Sequence, residues 1–63
     1  MGEYVDTVEA ARILGVSVGT LRRWRALNKG PWSFVVSKRV MYDTHDIYQW
    51  ISEQRRTSLR GGI

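Results

Sequence analysis

Two adjacent arginines, Arg22 and Arg23, are the side chains of this sequence whose type and spacing best suit binding chemistry. A guanidinium can donate two parallel hydrogen bonds to O6 and N7 of a guanine, and it can equally hold a phosphate. Because consecutive residues on a helix point about 100° apart, one arginine can contact a base while the other contacts the backbone. The pair therefore predicts a polyanionic partner. The alternative is that both arginines are solvated charges on an amphipathic helix.

The residues around this pair are spaced as a helix, a tight turn and a second helix. Ala11 is small enough to let two helix backbones approach, and Gly15, four residues later, tolerates the positive φ that ends a helix. Leu21 and Trp24 anchor the second helix, so that its opposite face is turned outward. The pattern predicts a helix-turn-helix that presents the two arginines to a partner.

The first helix is predicted over residues 7–14, with Asp6 as its N-cap and Glu9 completing a capping box. Periodicity places several apolar residues on one stripe of this helix. The stripe expected to face the core contains Val8, Ala11 and Leu14.

The second helix is predicted over residues 18–28, after a cap at Ser17. Gly30 suits a C-terminal cap and Pro31 cannot continue the helix. The residues expected to face inward are Val18, Leu21 and either Trp24 or Leu27. The residues left on the outer faces are Gly19, Thr20, Arg22, Arg23 and Ala26. Gly19 weakens the first turn by up to about 1 kcal/mol, but it lets a partner come close to the backbone.

Residues 33–36 and 39–42 are β-prone and flank the polar pair Ser37 and Lys38, which predicts a short hairpin. Two strands alone are marginally stable, so the hairpin is expected to pack on the helices. Its tip would present Lys38 and Arg39 as a small wing.

A third helix is predicted over residues 44–56, capped by Asp43 or Thr44. Its inward stripe is expected to contain Ile47, Trp50 and Ile51. Residues 57–63 show no periodicity and are expected to form a flexible basic tail. Together the elements predict a mainly α fold with a small β-hairpin wing, a winged helix-turn-helix, as one domain over residues 1–56.

The charges are segregated along the 63 residues, which carry a net charge of +4. Residues 12–39 contain seven basic residues and no acidic one, whereas residues 1–11 and 40–54 contain three acidic residues each. Such segregation favours one basic face and a nucleic-acid partner, although small basic proteins also bind membranes. No apolar run approaches the roughly 18 residues that span a bilayer, and the N-terminus lacks a secretory segment, so a soluble cytoplasmic protein is expected.

The sequence offers little for catalysis or for metal binding. It has no cysteine, which excludes a disulfide and a thiolate metal site. His45 is the only histidine, and a lone imidazole beside Asp43 and Asp46 is a poor zinc site, so we interpret it as a helix-entry residue. With room for one small domain and one histidine, we expect no enzyme activity and no cofactor.

Four stretches carry a resemblance to a known family: Glu9-Ala-Ala-Arg-Ile-Leu-Gly-Val-Ser17, Ser17-Val-Gly-Thr-Leu-Arg-Arg-Trp24, Arg39-Val-Met-Tyr42 and Asp46-Ile-Tyr-Gln-Trp50. Through them, residues 5–56 resemble the excisionase family of small DNA-binding domains, also called recombination directionality factors. Within that family the chain is similar to excisionases of mycobacteriophages. The fold of the family is a winged helix related to that of MerR-type regulators.

The resemblance implies a protein that does no chemistry itself but binds neighbouring sites in phage attachment DNA, bends that DNA and helps a tyrosine-type integrase to build the excisive complex. It also implies a place on the nucleoid of a bacterial host. Because a chain of this size covers only a few base pairs, several copies are expected to bind cooperatively. The DNA-binding residues predicted by position are Ser17, Gly19, Thr20, Arg22, Arg23, Lys38 and Arg39. Related proteins often carry a longer side chain at position 19, so Gly19 leaves specificity to Arg23 and to DNA shape.

Two other functions stay open on the sequence alone. A small transcriptional regulator that binds a promoter would use the same DNA contacts. A protein-interaction adaptor would use Trp32 and the basic tail and would bind no DNA. Trp32 is expected either to pack under the wing or to be exposed to a partner, whereas Trp24 and Trp50 are expected in the core. The basic residues that are expected to be solvated or to contact phosphate are Arg12, Arg55, Arg56 and Arg60.

Overall fold

The computed structural model describes residues 2–61 and contains six elements of regular structure over that range. In chain order they are β1 (Tyr4–Asp6), α1 (Thr7–Leu14), α2 (Val18–Ala26), β2 (Phe34–Val36), β3 (Arg39–Asp43) and α3 (Thr44–Ser58). Three helices pack with a three-stranded antiparallel sheet, so the predicted winged helix-turn-helix is confirmed. No helix in this described range is long and apolar enough to cross a membrane.

The first helix has the predicted bounds because both of its ends are capped. Asp6 Oδ1 accepts the backbone N–H of Glu9 at 2.9 Å, as expected for an N-cap. The Glu9 carboxylate, however, bonds to Arg12 instead of returning to the cap, so the reciprocal half of the capping box does not form. At the other end Gly15 is left-handed, with φ of 73°, and the N–H of Val16 donates to Ala11 O at 3.0 Å.

The second helix ends at Ala26, two residues before the predicted end, and Gly30 is not its cap. Asn28 is the first residue after the helix with a left-handed conformation, with φ of 60°. The N–H of Lys29 then reaches back to Trp24 O at 2.7 Å. Asparagine tolerates this conformation better than other residues with a side chain, which is why the helix can stop before the glycine.

The sheet has the strand order β1-β3-β2, and both pairings are antiparallel. The hairpin of β2 and β3 matches its prediction to within one residue, and we call it, with its turn, the wing. Both turn residues are left-handed, with φ of 47° at Ser37 and 69° at Lys38, as a two-residue hairpin turn requires. Strand β1 was not predicted, because three residues before a helix cap carry no detectable period. Pairing with β3 defines this strand, Val5 lying opposite Tyr42.

The core lies between the three helices and strand β3, with α1 and α3 in contact with the sheet and α2 packed on α1. Its fully buried side chains are Ala10, Ala11, Leu21, Tyr42 and Ile47. The small side chains of α1 let the other two helices approach it, as predicted for Ala11. Trp24 and Trp50 are half-buried at the edge of this core, with ring centroids 5.3 Å apart.

The structure corrects or decides three predictions about apolar side chains. Val8 was predicted to face inward but is 63% exposed, because α1 turns Ala10 to the core and Val8 lies about 200° away around the helix. Of the two candidates for the inward-facing position on α2, Trp24 packs against the core, whereas Leu27 follows the end of the helix and is exposed. Trp32 does not pack under the wing and is 81% exposed.

The third helix begins as predicted, with Asp43 Oδ1 accepting the backbone N–H of His45 at 2.8 Å. Its predicted inward residue Ile47 is fully buried. The helix continues to Ser58, so the first two residues of the predicted tail are helical. Residues 59–61 have no regular structure, and Gly62 and Ile63 lie outside the described residues.

Candidate nucleic-acid interface

The start of α2 is built by Ser17, whose hydroxyl oxygen accepts the backbone N–H of Thr20 at 3.0 Å. The same hydroxyl donates to Oγ1 of Thr20 at 2.9 Å. Gly19 lies in this first turn, and a Cβ added to it would meet only Ser17 Oγ, at 3.9 Å. The three predicted contact residues therefore surround an open helix start, where backbone N–H groups favour a negative charge.

Arg22 and Arg23 lie one turn further along α2, and both are exposed. Leu21, the residue before them, is 1% exposed and holds this side of the helix in the core. The two guanidiniums are therefore turned away from the core, as the spacing of the helix-turn-helix predicts. They leave the helix in different directions, and Arg22 is the one that points towards the wing.

A cleft between α2 and the wing collects three positive charges, and we call it the basic cleft. Its volume is about 380 Å³, and its lining residues are Thr7, Arg22, Arg25, Lys38, Val40 and Tyr42. Arg22 and Arg25 are three residues apart and share one helix face, while Lys38 reaches the cleft from the turn of the wing. With three cations and no carboxylate among its lining residues, the cleft favours an anion.

Arg25 is the cation of this cleft that was missing from the predicted contact residues. Its three-residue spacing from Arg22 was the signal that could have found it. The guanidinium is fixed in part by Ser33, because Arg25 Nε donates to Ser33 Oγ at 3.2 Å. This bond ties α2 to the segment that leads into the wing.

Tyr42 forms the floor of the basic cleft and is buried. Burial raises the pKa of its hydroxyl above the usual value of about 10, because the phenolate would lose its hydration. The nearby positive charge of Arg25 opposes this shift in part, but the effect of burial is larger and the pKa stays raised. The hydroxyl is therefore neutral at physiological pH and does not cancel the positive charge of the cleft.

The ion pairs leave the cations of α2 and of the wing turn without neutralisation. Within residues 2–61 three pairs form, and two of them remove candidates from the basic face: Arg12 bonds to Glu9 and Arg56 to Glu53. The third is a long contact of 3.9 Å between Arg39 Nη2 and Asp6 Oδ2. The basic residues that pair with no carboxylate in this range are Arg22, Arg23, Arg25, Lys29, Lys38, Arg55 and Arg60.

Residues 4–55 match a family model described as a helix-turn-helix domain. The match runs from the first strand to the last turns of the third helix and so covers most of the chain. The chain belongs to this helix-turn-helix family. The family includes excisionase-like DNA-binding domains, and such domains bind DNA. Searches of curated proteins and of solved structures found no match for the chain.

In this helix-turn-helix domain the two predicted wing residues point to different surfaces. Lys38 enters the basic cleft and can act together with Arg22. Arg39 lies opposite Val36 on the outer face of the sheet. There it lines a groove together with Tyr4, and its guanidinium makes the long contact with Asp6. The structure therefore brings Lys38 close to Arg22 of α2, whereas Arg39 lies in a different groove.

The described residues contain no group of three or more side chains arranged to hold a metal ion. His45 lies in the first turn of α3, as the helix-entry interpretation predicts, and its backbone N–H is taken up by the cap. The cations of α2 and of the wing turn suit phosphate and base edges.

Proposed function

We propose that this helix-turn-helix domain is an accessory factor for site-specific recombination, which binds neighbouring sites in phage attachment DNA, bends them and directs a tyrosine-type integrase towards excision. The observation that carries the DNA-binding part is the set of unpaired cations on α2 and the wing. Membership of a family that includes excisionase-like domains supports the recombination part. In this proposal the domain has no catalytic role of its own.

The recognition step follows from the dimensions and charges of α2. Nine helical residues are about 13 Å long, which matches a major groove about 12 Å wide. The open turn at Gly19 lets the helix start approach the DNA closely, and Arg23 is then free to donate to a guanine. Arg22, Arg25 and Lys38 contact successive backbone phosphates along the basic cleft, which fixes the register of the helix.

Bending follows from holding the duplex at two places. The recognition helix contacts the major groove, and the wing reaches the adjacent backbone. Smooth bending of a site costs on the order of 1–6 kcal/mol, which additional backbone contacts offset. A domain of this size makes few contacts, so copies on adjacent sites would share that cost, and cooperative binding is part of the proposal.

The proposal is tested by DNase footprinting and circular-permutation bending assays on attachment-site DNA, with and without the tyrosine-type integrase. We expect several adjacent, phased footprints, a bend, and stronger integrase occupancy when the domain is present. Independent filling of single sites would contradict cooperativity, and an absence of any effect on integrase would contradict the recombination role.

The same experiment separates the alternative, a small transcriptional regulator that uses the same face. Such a regulator would leave attachment-site DNA unprotected and would give one isolated footprint at a promoter. A protein adaptor would give no footprint at all, and Arg23→Ala would leave its activity intact.

A further inference from the structure

A second cleft lies at the C-terminal end of α2, and we call it the loop cleft. Its volume is about 460 Å³, and its lining residues are Arg25, Asn28, Lys29, Gly30, Pro31, Trp32 and Ser33. Arg25 lines both this cleft and the basic cleft. The two clefts therefore meet at one guanidinium, and positive charge continues from Lys38 through Arg25 to Lys29.

The loop that forms this cleft is held in place before any partner binds. The N–H of Lys29 donates to Trp24 O at 2.7 Å. Gly30 has φ of 79° and lies so close to the Trp24 ring that an added Cβ would be 3.2 Å from Cε3. Pro31 is buried, so the backbone on both sides of Lys29 is anchored. A fixed loop loses little conformational entropy when a ligand binds.

Trp32 is the most exposed large apolar side chain among the described residues, at 81%. One side of it faces the loop cleft, which contains two cations. Its other side faces a cleft that also contains Asp46 and Glu53. The indole therefore marks the boundary between a basic and an acidic surface, and an anionic partner is expected only on the side of Arg25 and Lys29.

We propose that the loop cleft is a second binding site for the DNA backbone, where Lys29 contacts a phosphate and Trp32 packs on the adjoining sugar. This inference rests on the proposed DNA-binding function. A duplex carries phosphates at regular intervals, so a continuous cationic strip that passes through Arg25 fits it better than it fits an acidic protein segment. The indole supplies an apolar face and one N–H donor, and both suit a sugar–phosphate chain.

The experiment measures binding of the duplex footprinted by the wild-type domain, with one phosphate at a time replaced by a neutral methylphosphonate. The variants are Lys29→Gln, Trp32→Ala and the conservative Trp32→Phe. Arg56→Gln is the matched control for loss of one positive charge, because Arg56 pairs with Glu53 on α3. Tyr48→Ala is the control for loss of an exposed aromatic ring, because Tyr48 lies on α3 and lines neither the basic cleft nor the loop cleft. Circular dichroism confirms that each variant is folded.

Loss of one phosphate contact removes about 0.9 from the slope of log K against log salt, which corresponds to roughly eightfold weaker binding at 0.1 M salt. We expect this loss for Lys29→Gln, and a loss of about three- to tenfold for Trp32→Ala that Trp32→Phe largely restores. At one methylphosphonate position, wild type and Lys29→Gln should bind equally, since the contact is already missing.

Two outcomes are distinguishable. If the wild-type domain binds no duplex, the proposed function itself fails. If it binds, but Lys29→Gln and Trp32→Ala behave like their controls at every phosphate position, the DNA-backbone site is overturned.

Discussion

Lys38 occupies a position where its backbone conformation is unfavourable for a residue with a side chain. Its φ of 69° lies in the left-handed region, and the second position of such a hairpin turn prefers glycine. An outlier of this kind supports a functional role for the side chain, and Lys38 lines the basic cleft. The strain and the proposed phosphate contact belong to the same residue.

We therefore predict opposite effects of Lys38→Gly on stability and on binding. The free energy of unfolding should rise by about 1 kcal/mol, because glycine removes the left-handed strain. Duplex affinity should fall by roughly eightfold at 0.1 M salt, because one phosphate contact is lost. Urea unfolding and a binding titration measure the two effects.

Lys38→Gln is the matched control, because it removes the charge and keeps the strain. It should lose the same affinity without gaining stability. If both variants bind the duplex as tightly as the wild type, Lys38 does not contact DNA and the strained turn needs another explanation.

Tyr42 makes stability depend on pH at the alkaline end. Because burial raises its pKa in the folded state, the folded chain keeps the hydroxyl proton that the unfolded chain releases near pH 10. The contribution to stability is complete below that pH and is lost as the pH rises through the folded-state pKa.

We predict that the free energy of unfolding of the wild type decreases above pH 10 more steeply than that of Tyr42→Phe. The other titrating groups are common to both proteins, so the difference between the two curves isolates Tyr42. Urea unfolding at a series of pH values provides the measurement. Parallel curves would show that the hydroxyl has the same pKa in the folded and unfolded states.

At the scale of the elements, the two glycines on either side of the turn between α1 and α2 have different roles. Gly15 is required by the backbone conformation, whereas Gly19 leaves space for DNA contact. Gly15 is left-handed with open space around it, so Gly15→Ala should cost about 1–2 kcal/mol through the backbone alone. Gly19 is helical and also open, so Gly19→Ala should raise the free energy of unfolding by up to about 1 kcal/mol.

For Gly19, the predicted effect on duplex binding is opposite to the predicted effect on stability. Gly19→Ala should weaken duplex binding despite greater stability, because its methyl group enters the space that the DNA occupies. Gly15→Ala should leave the affinity of the folded fraction unchanged. Thermal unfolding and binding measured on the same samples test both statements, and tighter binding by Gly19→Ala would place the helix start away from DNA.

The elements that could be predicted from sequence are those whose signals are local. Helix α1 has a capping aspartate and a terminating glycine within the segment, and the wing has two β-prone runs around a polar pair. Strand β1 could not be predicted, because three residues form a strand only when Val5 meets Tyr42, which is far along the chain. The end of α2 was misplaced because the chain already turns left-handed at Asn28, two residues before Gly30.

The same limit applies to the candidate site. The exposed arginines followed from helical spacing, and Arg25 could have been included by the same reasoning. The meeting of Arg22 with Lys38 could not have been deduced, since it depends on how the wing lies against α2. The exposure of Trp32 depends in the same way on the packing of the loop around Trp24.

At the scale of the whole molecule, the charge pattern of the sequence becomes a division of the surface. Arg12 and Arg56 are neutralised locally by glutamates of their own helices. The cations of α2 and the wing turn do not pair with carboxylates of the described residues, so they remain available to a polyanion. This division is the physical basis of the proposed function, and it makes the salt dependence of binding its most direct consequence.

The decisive measurement is the affinity for duplex DNA across a series of salt concentrations, for the wild type and two double variants of equal charge. The wild type should give a slope of about −4.5 to −6.3 in log K against log salt, as five to seven neutralised phosphates require. Arg22→Gln with Arg23→Gln should reduce its magnitude by about 1 to 2, because Arg22 contacts a phosphate and Arg23 lies in the groove, whereas Arg12→Gln with Arg56→Gln should leave it nearly unchanged. An equal reduction of the slope in the two double variants, or a wild-type affinity that does not respond to salt, would contradict DNA binding through the unpaired cations of α2 and the wing turn.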